Sequence, residues 1–256
     1  MSAKTGVNIK DPGNLAFYVD AANPNSYKPD SYPTTLFSMV PGGKDAQLYG
    51  TTNPYYTTQY GGGMSFQTSS QQYFRIDPVP LTTQSFAVEV WFKAGKGSTA
   101  NGGNAWETII GCGDVVSSAL PPVGYRGWSI TYISNSTQVR FGVNVTSSAG
   151  PAIVGGMNSG LVLTVGQVYN LLLQRNTVDQ TLELYNNGTL WQSVTLNNTG
   201  SLDGSPNQIG TMSWKDGPGE PYMNHTYYSM KMYTNTQFTA DEVQQNFNAV
   251  RNKFRI

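Results

Sequence analysis

The sequence predicts an all-β fold, two stacked antiparallel sheets closed by a single C-terminal α-helix. Three observations carry this. Short segments of alternating apolar and polar residues recur along the 256-residue chain with turn residues between them, as half-buried antiparallel strands require. The pair Asn187-Gly188 separates two such segments and supplies both positive-φ positions of a type I′ hairpin turn. The closing stretch FTADEVQQNFNAVRNKF, residues 238–254, changes to helical spacing.

Taken in order, the expected strands are LAFYVD (15–20), YFRI (73–76), FAVEVWFKA (86–94), WETIIGC (106–112) and GWSITYI (127–133). QVRFGVNV (138–145), VYNLLLQR (168–175), TLELYN (181–186) and TYYSMKMYT (226–234) follow. In the sixth of these, Val139, Phe141, Val143 and Val145 share one face, with Arg140, Gly142 and Asn144 on the other. The Asn-Gly turn is expected to pair Tyr185 with Leu190 and Leu184 with Trp191. Residues 21–63 carry many prolines and tyrosines between short apolar pieces. They read as a long irregular excursion packed over the sandwich, too aromatic for a disordered tether. Thr239 and Glu242 have capping-box spacing, and Phe238 can staple to Val243. Val243, Phe247, Val250 and Phe254 then form one narrow apolar stripe that must lie on something apolar. With no repeat or linker, residues 1–256 are expected to form a single domain.

Composition narrows the function. Net charge is zero, from 15 basic and 15 acidic residues, so there is no electrostatic footprint for nucleic acid or an acidic membrane. Charged residues make up 12% of the chain, against about 25% in ordinary soluble domains. Polarity comes from Ser, Thr, Asn, Gln and 16 Tyr, which suits neutral contact with glycans or neighbouring subunits. Cys112 is the single cysteine, excluding an intrachain disulfide. The first residues, MSAKTGVNIKDPG, lack a signal-peptide core, and nothing approaches a membrane span, so synthesis in a cytoplasm is expected. The N-x-[ST] sequons of this Asn- and Thr-rich chain are accordingly discounted.

Four segments in order resemble the concanavalin A-like, laminin-G-like jelly roll, in the form common in tailed-bacteriophage virion proteins. They are GNLAFYVDAANPNSY, GGGMSFQTSSQQYFRI, SFAVEVWFKA with LELYNNGTLWQS, and YYSMKMYTNTQFTADEVQQNFNAVRNKF. The resemblance spans residues 13–254. Where many relatives carry acids, this chain has Gln67, Thr68, Ser69, Ser70, Gln71 and Gln72, so no ligand role transfers to that segment.

Laminarinase-type glycosidases share the sandwich. Their Glu-x-Asp-x-x-Glu strand pattern is missing, since none of Glu89, Glu107, Glu183, Glu220 and Glu242 has Asp two positions on. Glycoside hydrolysis needs two facing carboxylates, and Glu89 and Glu183 (expected opposite Gln192) read as solvent-face strand residues, so no enzyme is expected. His225 and Cys112 read as structural. Calcium is the one ion the resemblance admits, at Asp114 with Asp216 or Asn224 on the rim, beside a reading of Asp114 as turn chemistry. Trp106 and Trp128 begin apolar strands and read as core. Trp214 and Tyr222, in SWKDGPGEPY, are the expected glycan or subunit contacts. The resemblance implies a non-enzymatic capsid decoration protein on the outer capsid surface, bound to capsid subunits as a homo-oligomer, with a trimer as the guess. The alternative is a carbohydrate-binding adhesin or tail-fibre module holding host-surface glycans.

Overall fold

The computed structural model describes residues 12–70, 72–76, 79, 81, 83–96, 106–113, 127–133, 136–147, 150–196, 209–210 and 224–256. Its strands are β1 (Leu15–Asp20), β2 (Tyr27–Lys28), β3 (Tyr32–Leu36), β4 (Ala46–Tyr49), β5 (Tyr55–Thr57), β6 (Gly63–Ser65), β7 (Tyr73–Ile76), β8 (Phe86–Lys93) and β9 (Trp106–Gly113). They continue with β10 (Gly127–Ile133), β11 (Gln138–Ser147), β12 (Gly150–Val162), β13 (Val168–Asn176), β14 (Thr181–Asn186), β15 (Thr189–Thr195), β16 (Ile209–Gly210) and β17 (Thr226–Thr234). The helix α1 spans Ala240–Phe254.

Two antiparallel sheets result. The first runs β15-β14-β13-β8-β17-β6-β5, with β1 also on β17, and the second β12-β11-β10-β9-β16-β7-β4-β3-β2. Alternation works as the sequence requires. Val139, Phe141 and Val143 are buried in the inter-sheet core with Trp128, Phe74 and Phe92. The side chains of Trp106 and Val145 lie outside the described residues. Residues 21–63 depart from expectation: they contain four short strands, β2–β5, and lead into β6, and these strands extend both sheets. The long β12 was also unforeseen.

The first sheet is covered on its outer face by α1, which explains why every residue of β13 is buried. Leu172, Tyr185, Phe238 and Val243 form one apolar cluster there, and Trp91, Val168, Phe247 and Phe254 another. The capping box is present: the Thr239 hydroxyl accepts from the Glu242 N–H, and the Glu242 carboxylate accepts from the Thr239 N–H at 2.8 Å. One residue earlier, the Gln174 side chain donates to the Phe238 carbonyl and accepts from the Phe238 N–H, both at 2.9 Å. Entry of the chain into the helix is thereby pinned to β13. At the hairpin tip, Gly188 has φ +79, and a Cβ there would lie 2.8 Å from Phe247 Cβ. Only glycine provides both the turn geometry and the close approach of α1.

His225 is a core residue, as its isolation in the sequence implied. Its Nδ1 accepts from the Gly95 N–H at 2.7 Å, and its ring meets Phe92 and Tyr132. Burial pushes its pKa down to about 3, so the native imidazole is neutral while the unfolded chain takes up the proton first. Stability from this group is therefore complete above its ordinary pKa of about 6.5 and lost as pH falls from there toward the folded value. Urea unfolding at successive pH values should show a slope of up to about 1.4 kcal/mol per unit in this window. His225→Gln should flatten it, and an unchanged slope would count against a buried neutral imidazole.

Candidate functional site

Three of the residues expected to carry contacts or an ion, Asp114, Trp214 and Tyr222, lie outside the described residues, as does Asp216. Asn224 is exposed beside the buried His225. Among the described residues, no group of three His, Cys, Asp or Glu side chains could hold a metal ion, and no helix is long and apolar enough to cross a membrane. Cys112 is half-buried against the core, and burial raises its thiol to about 12. It is therefore a poor nucleophile or ligand at neutral pH. Trp128 is in the core, as its strand position required.

The described glutamates correct the reading made from alternation. Glu89 is not a solvent-face residue. It lies under α1, 4% exposed, and forms an ion pair of 3.0 Å with Lys231. Its other oxygen accepts from the Trp91 indole at 2.8 Å and from the Asn170 amide at 2.9 Å. Burial acts to raise this carboxyl's pKa, but the Lys231 charge and these hydrogen bonds outweigh it and hold the pKa below its ordinary value. Glu107 is buried too, and the Tyr132 phenol beside it is pushed up to about 12, by burial first and by that carboxylate second. Glu183 accepts from Gln174 and Tyr185, and Glu242 caps α1.

One exposed aromatic residue is built into a defined position. A β-bulge between Leu184 and Tyr185 shifts the hairpin register, so that Tyr185 faces Leu190 as expected but Leu184 faces Gln192. Glu183 accordingly opposes Ser193 rather than Gln192. Trp191 is left as the extra residue, and a bulged residue is re-aimed out of the alternating pattern. Its ring is 47% exposed, and its indole N–H donates to the Ser159 carbonyl at 2.7 Å. Ser159 belongs to β12, the edge of the second sheet, while β15 is the edge of the first. The bond therefore spans the open side of the sandwich and fixes the direction of the ring. Leu190 and Val162, 44% and 55% exposed, continue the apolar surface on these two edge strands.

A second aromatic feature lies on the outer face of the second sheet. Tyr49 and Tyr73 are cross-strand neighbours whose rings stack at 4.9 Å, with the Arg75 guanidinium 5.9 Å from the Tyr49 ring. Their faces are largely spent on each other, so Trp191 is the better ligand platform. The sequence contained the signal for Trp191, a large aromatic beside a hairpin turn, but not the bulge that turns it outward.

The fold is similar to that of botulinum neurotoxin receptor-binding domains. Similarity to botulinum neurotoxin type C, whose uptake into cells depends on two ganglioside molecules, has a TM-score of 0.61 at 13% identity, covering 93% of this chain and 52% of that one. The serotype G binding domain gives 0.60 at 13% identity over 91% and 50%. The binding domain of the DC toxin, solved in complex with rat synaptotagmin II, gives 0.59 at 12% identity over 94% and 52%. The chain thus spans about half the length of these neighbours, and at such identity the likeness concerns fold alone. No curated protein matches the sequence. A family model described as the concanavalin A-like lectin/glucanases superfamily matches residues 68–244, more than half of the chain, and the protein belongs to that superfamily.

Proposed function

We infer that the protein is a non-catalytic carbohydrate-binding module that attaches to surface glycans through Trp191. The observation that carries this reading is the half-exposed indole held rigid by its bond to Ser159. A flat apolar ring with a fixed orientation and no aromatic partner among the described residues suits the apolar face of a pyranose, and little side-chain entropy is lost on binding. Membership of a lectin-containing superfamily and similarity to toxin domains, one described as ganglioside-dependent, support the same class of ligand. The low surface charge favours a neutral glycan. The positions of the described glutamates support a non-catalytic role, since Glu89, Glu107, Glu183 and Glu242 are each buried or engaged by neighbours. The proposed contact requires no metal.

Screening on an oligosaccharide array, followed by calorimetry of the best ligand, tests this reading. Trp191→Ala should weaken binding about tenfold or more while lowering stability by only about 1 kcal/mol, the worth of one hydrogen bond. Equal affinity in both proteins would refute the assignment.

A virion setting is the second reading. The exposed apolar residues Leu190, Trp191 and Val162 on the two edge strands would suit burial against a capsid subunit, as in the decoration role implied by the resemblance to phage proteins. Particle copy number separates the two roles: hundreds of copies fit a capsid lattice, whereas a few dozen fit a fibre module.

A further inference from the structure

We propose that the outer face of the first sheet beneath α1 is a second saccharide-binding face, which the helix occupies in the state described. This takes the same ligand class as the proposed function but a different face of the molecule. The interface under α1 has a composition that helix packing does not require. At its centre Trp91 lies flat, with Phe247 at 5.6 Å and 3° on it and Phe254 at 4.6 Å and 18°. Nearly parallel stacking on an indole is also how a sugar ring packs. Around the indole stand the Glu89 carboxylate, the Lys231 ammonium and the Asn170 amide, joined in one network. A buried ion pair of this kind is a poor source of stability beside apolar packing, yet it provides the donors and acceptors that hydroxyl recognition needs.

An independent observation points to a ligand. A bulge in β17 between Tyr227 and Ser229 turns Tyr228 onto this face. Tyr228 is 1% exposed, packs on Phe254 at 5.0 Å and on Tyr60, and its hydroxyl is buried with no hydrogen-bond partner among the described residues. An orphaned phenol has a standing cost that a bound hydroxyl would remove. Tyr60, which caps this end, is itself held at φ 54, a left-handed conformation that L residues rarely adopt.

The anchoring of α1 is asymmetric. Its N-terminus is pinned by hydrogen bonds through Phe238 and Gln174, whereas its C-terminal half is held by apolar packing of Phe247, Val250 and Phe254, the last also against Tyr60, and by a Lys253–Asp20 pair at 3.6 Å. The C-terminal turns can therefore lift about the N-terminal anchor and free Trp91, Asn170 and Tyr228 together. Affinity at this face is reduced by the fraction of time it is covered.

The test uses the full chain and the best array oligosaccharide. Phe254→Ala should bind about tenfold tighter than wild type, and the gain should persist in a Phe254→Ala/Trp191→Ala protein. Adding Tyr228→Phe, which removes a hydroxyl the closed state does not use, should cancel about fivefold of that gain without lowering thermal stability. In wild-type protein, saturating oligosaccharide should speed hydrogen exchange of the α1 amides. A folded Phe254→Ala protein with wild-type affinity overturns the proposal, as do α1 amides that saccharide leaves unchanged or protects, and the exchange arm decides if Phe254→Ala does not fold. Wild-type binding that is lost in Trp191→Ala, with no gain in Phe254→Ala, would sink this proposal and leave the proposed function standing.

Discussion

Lys231→Met should destabilise the protein by about 3–5 kcal/mol, because it leaves the Glu89 charge buried without its counter-ion. Glu89 keeps hydrogen bonds from Trp91 and Asn170, but neither carries a full positive charge. Its folded pKa is below the ordinary value in wild type, so the sign of the pH effect is fixed. The group contributes stability above its unfolded pKa, and this is lost as pH falls through the lower folded value. In Lys231→Met the burial penalty on the carboxylate is no longer offset. That contribution should vanish or reverse, making the variant relatively less handicapped in acid than at neutral pH. The double variant Glu89→Gln/Lys231→Met should recover much of the loss, since breaking a buried pair costs far more than replacing it. Urea unfolding of the wild type, both single variants and the double variant completes the cycle. A cost below about 1 kcal/mol for Lys231→Met would show that the pair is effectively solvated.

Trp91→Ala is the second large effect, at about 3–5 kcal/mol, the range for truncating a large buried aromatic residue. The indole is 1% exposed and is the surface on which both helix phenylalanines rest. Its loss opens a cavity between sheet and helix and removes one donor to Glu89. The damage should be local. Amides of α1 should exchange much faster, while those of β10 and β11 in the opposite sheet should change only with global stability. Equal loss of protection in both sheets would mean that α1 is an inseparable part of the sandwich rather than a cover upon it.

How much of this was legible in the sequence depends on which parts were set locally. Strands with clean alternation, such as β1, β10 and β14, have the bounds their pattern predicts, and the Thr239–Glu242 capping box is as written in the chain. β12 was missed because Gly155, Gly156 and Gly160 interrupt any alternation, so its pairing depends on β11 rather than on its own pattern. The strands within 21–63 are only two to five residues long, too short for periodicity to register. The role of Glu89 was misread for a different reason. Alternation places it on the outer face of the sheet, but only the docking of a helix about 150 residues away in sequence decides that this face is buried. The Trp191 platform depends on a single bulged residue, a register detail that the Asn-Gly turn does not determine.

Ligand binding at the seam between the two sheets can be tested most directly by following the tryptophan indole N–H signals in an NMR titration. The best array oligosaccharide is added, with the Trp191 signal assigned by its absence in Trp191→Phe. Binding at Trp191 should move this signal progressively, to saturation, as the saccharide is added. A Trp191 signal that stays fixed to about 10 mM ligand, beyond the range of any useful weak affinity, or movement confined to Trp214, would contradict it.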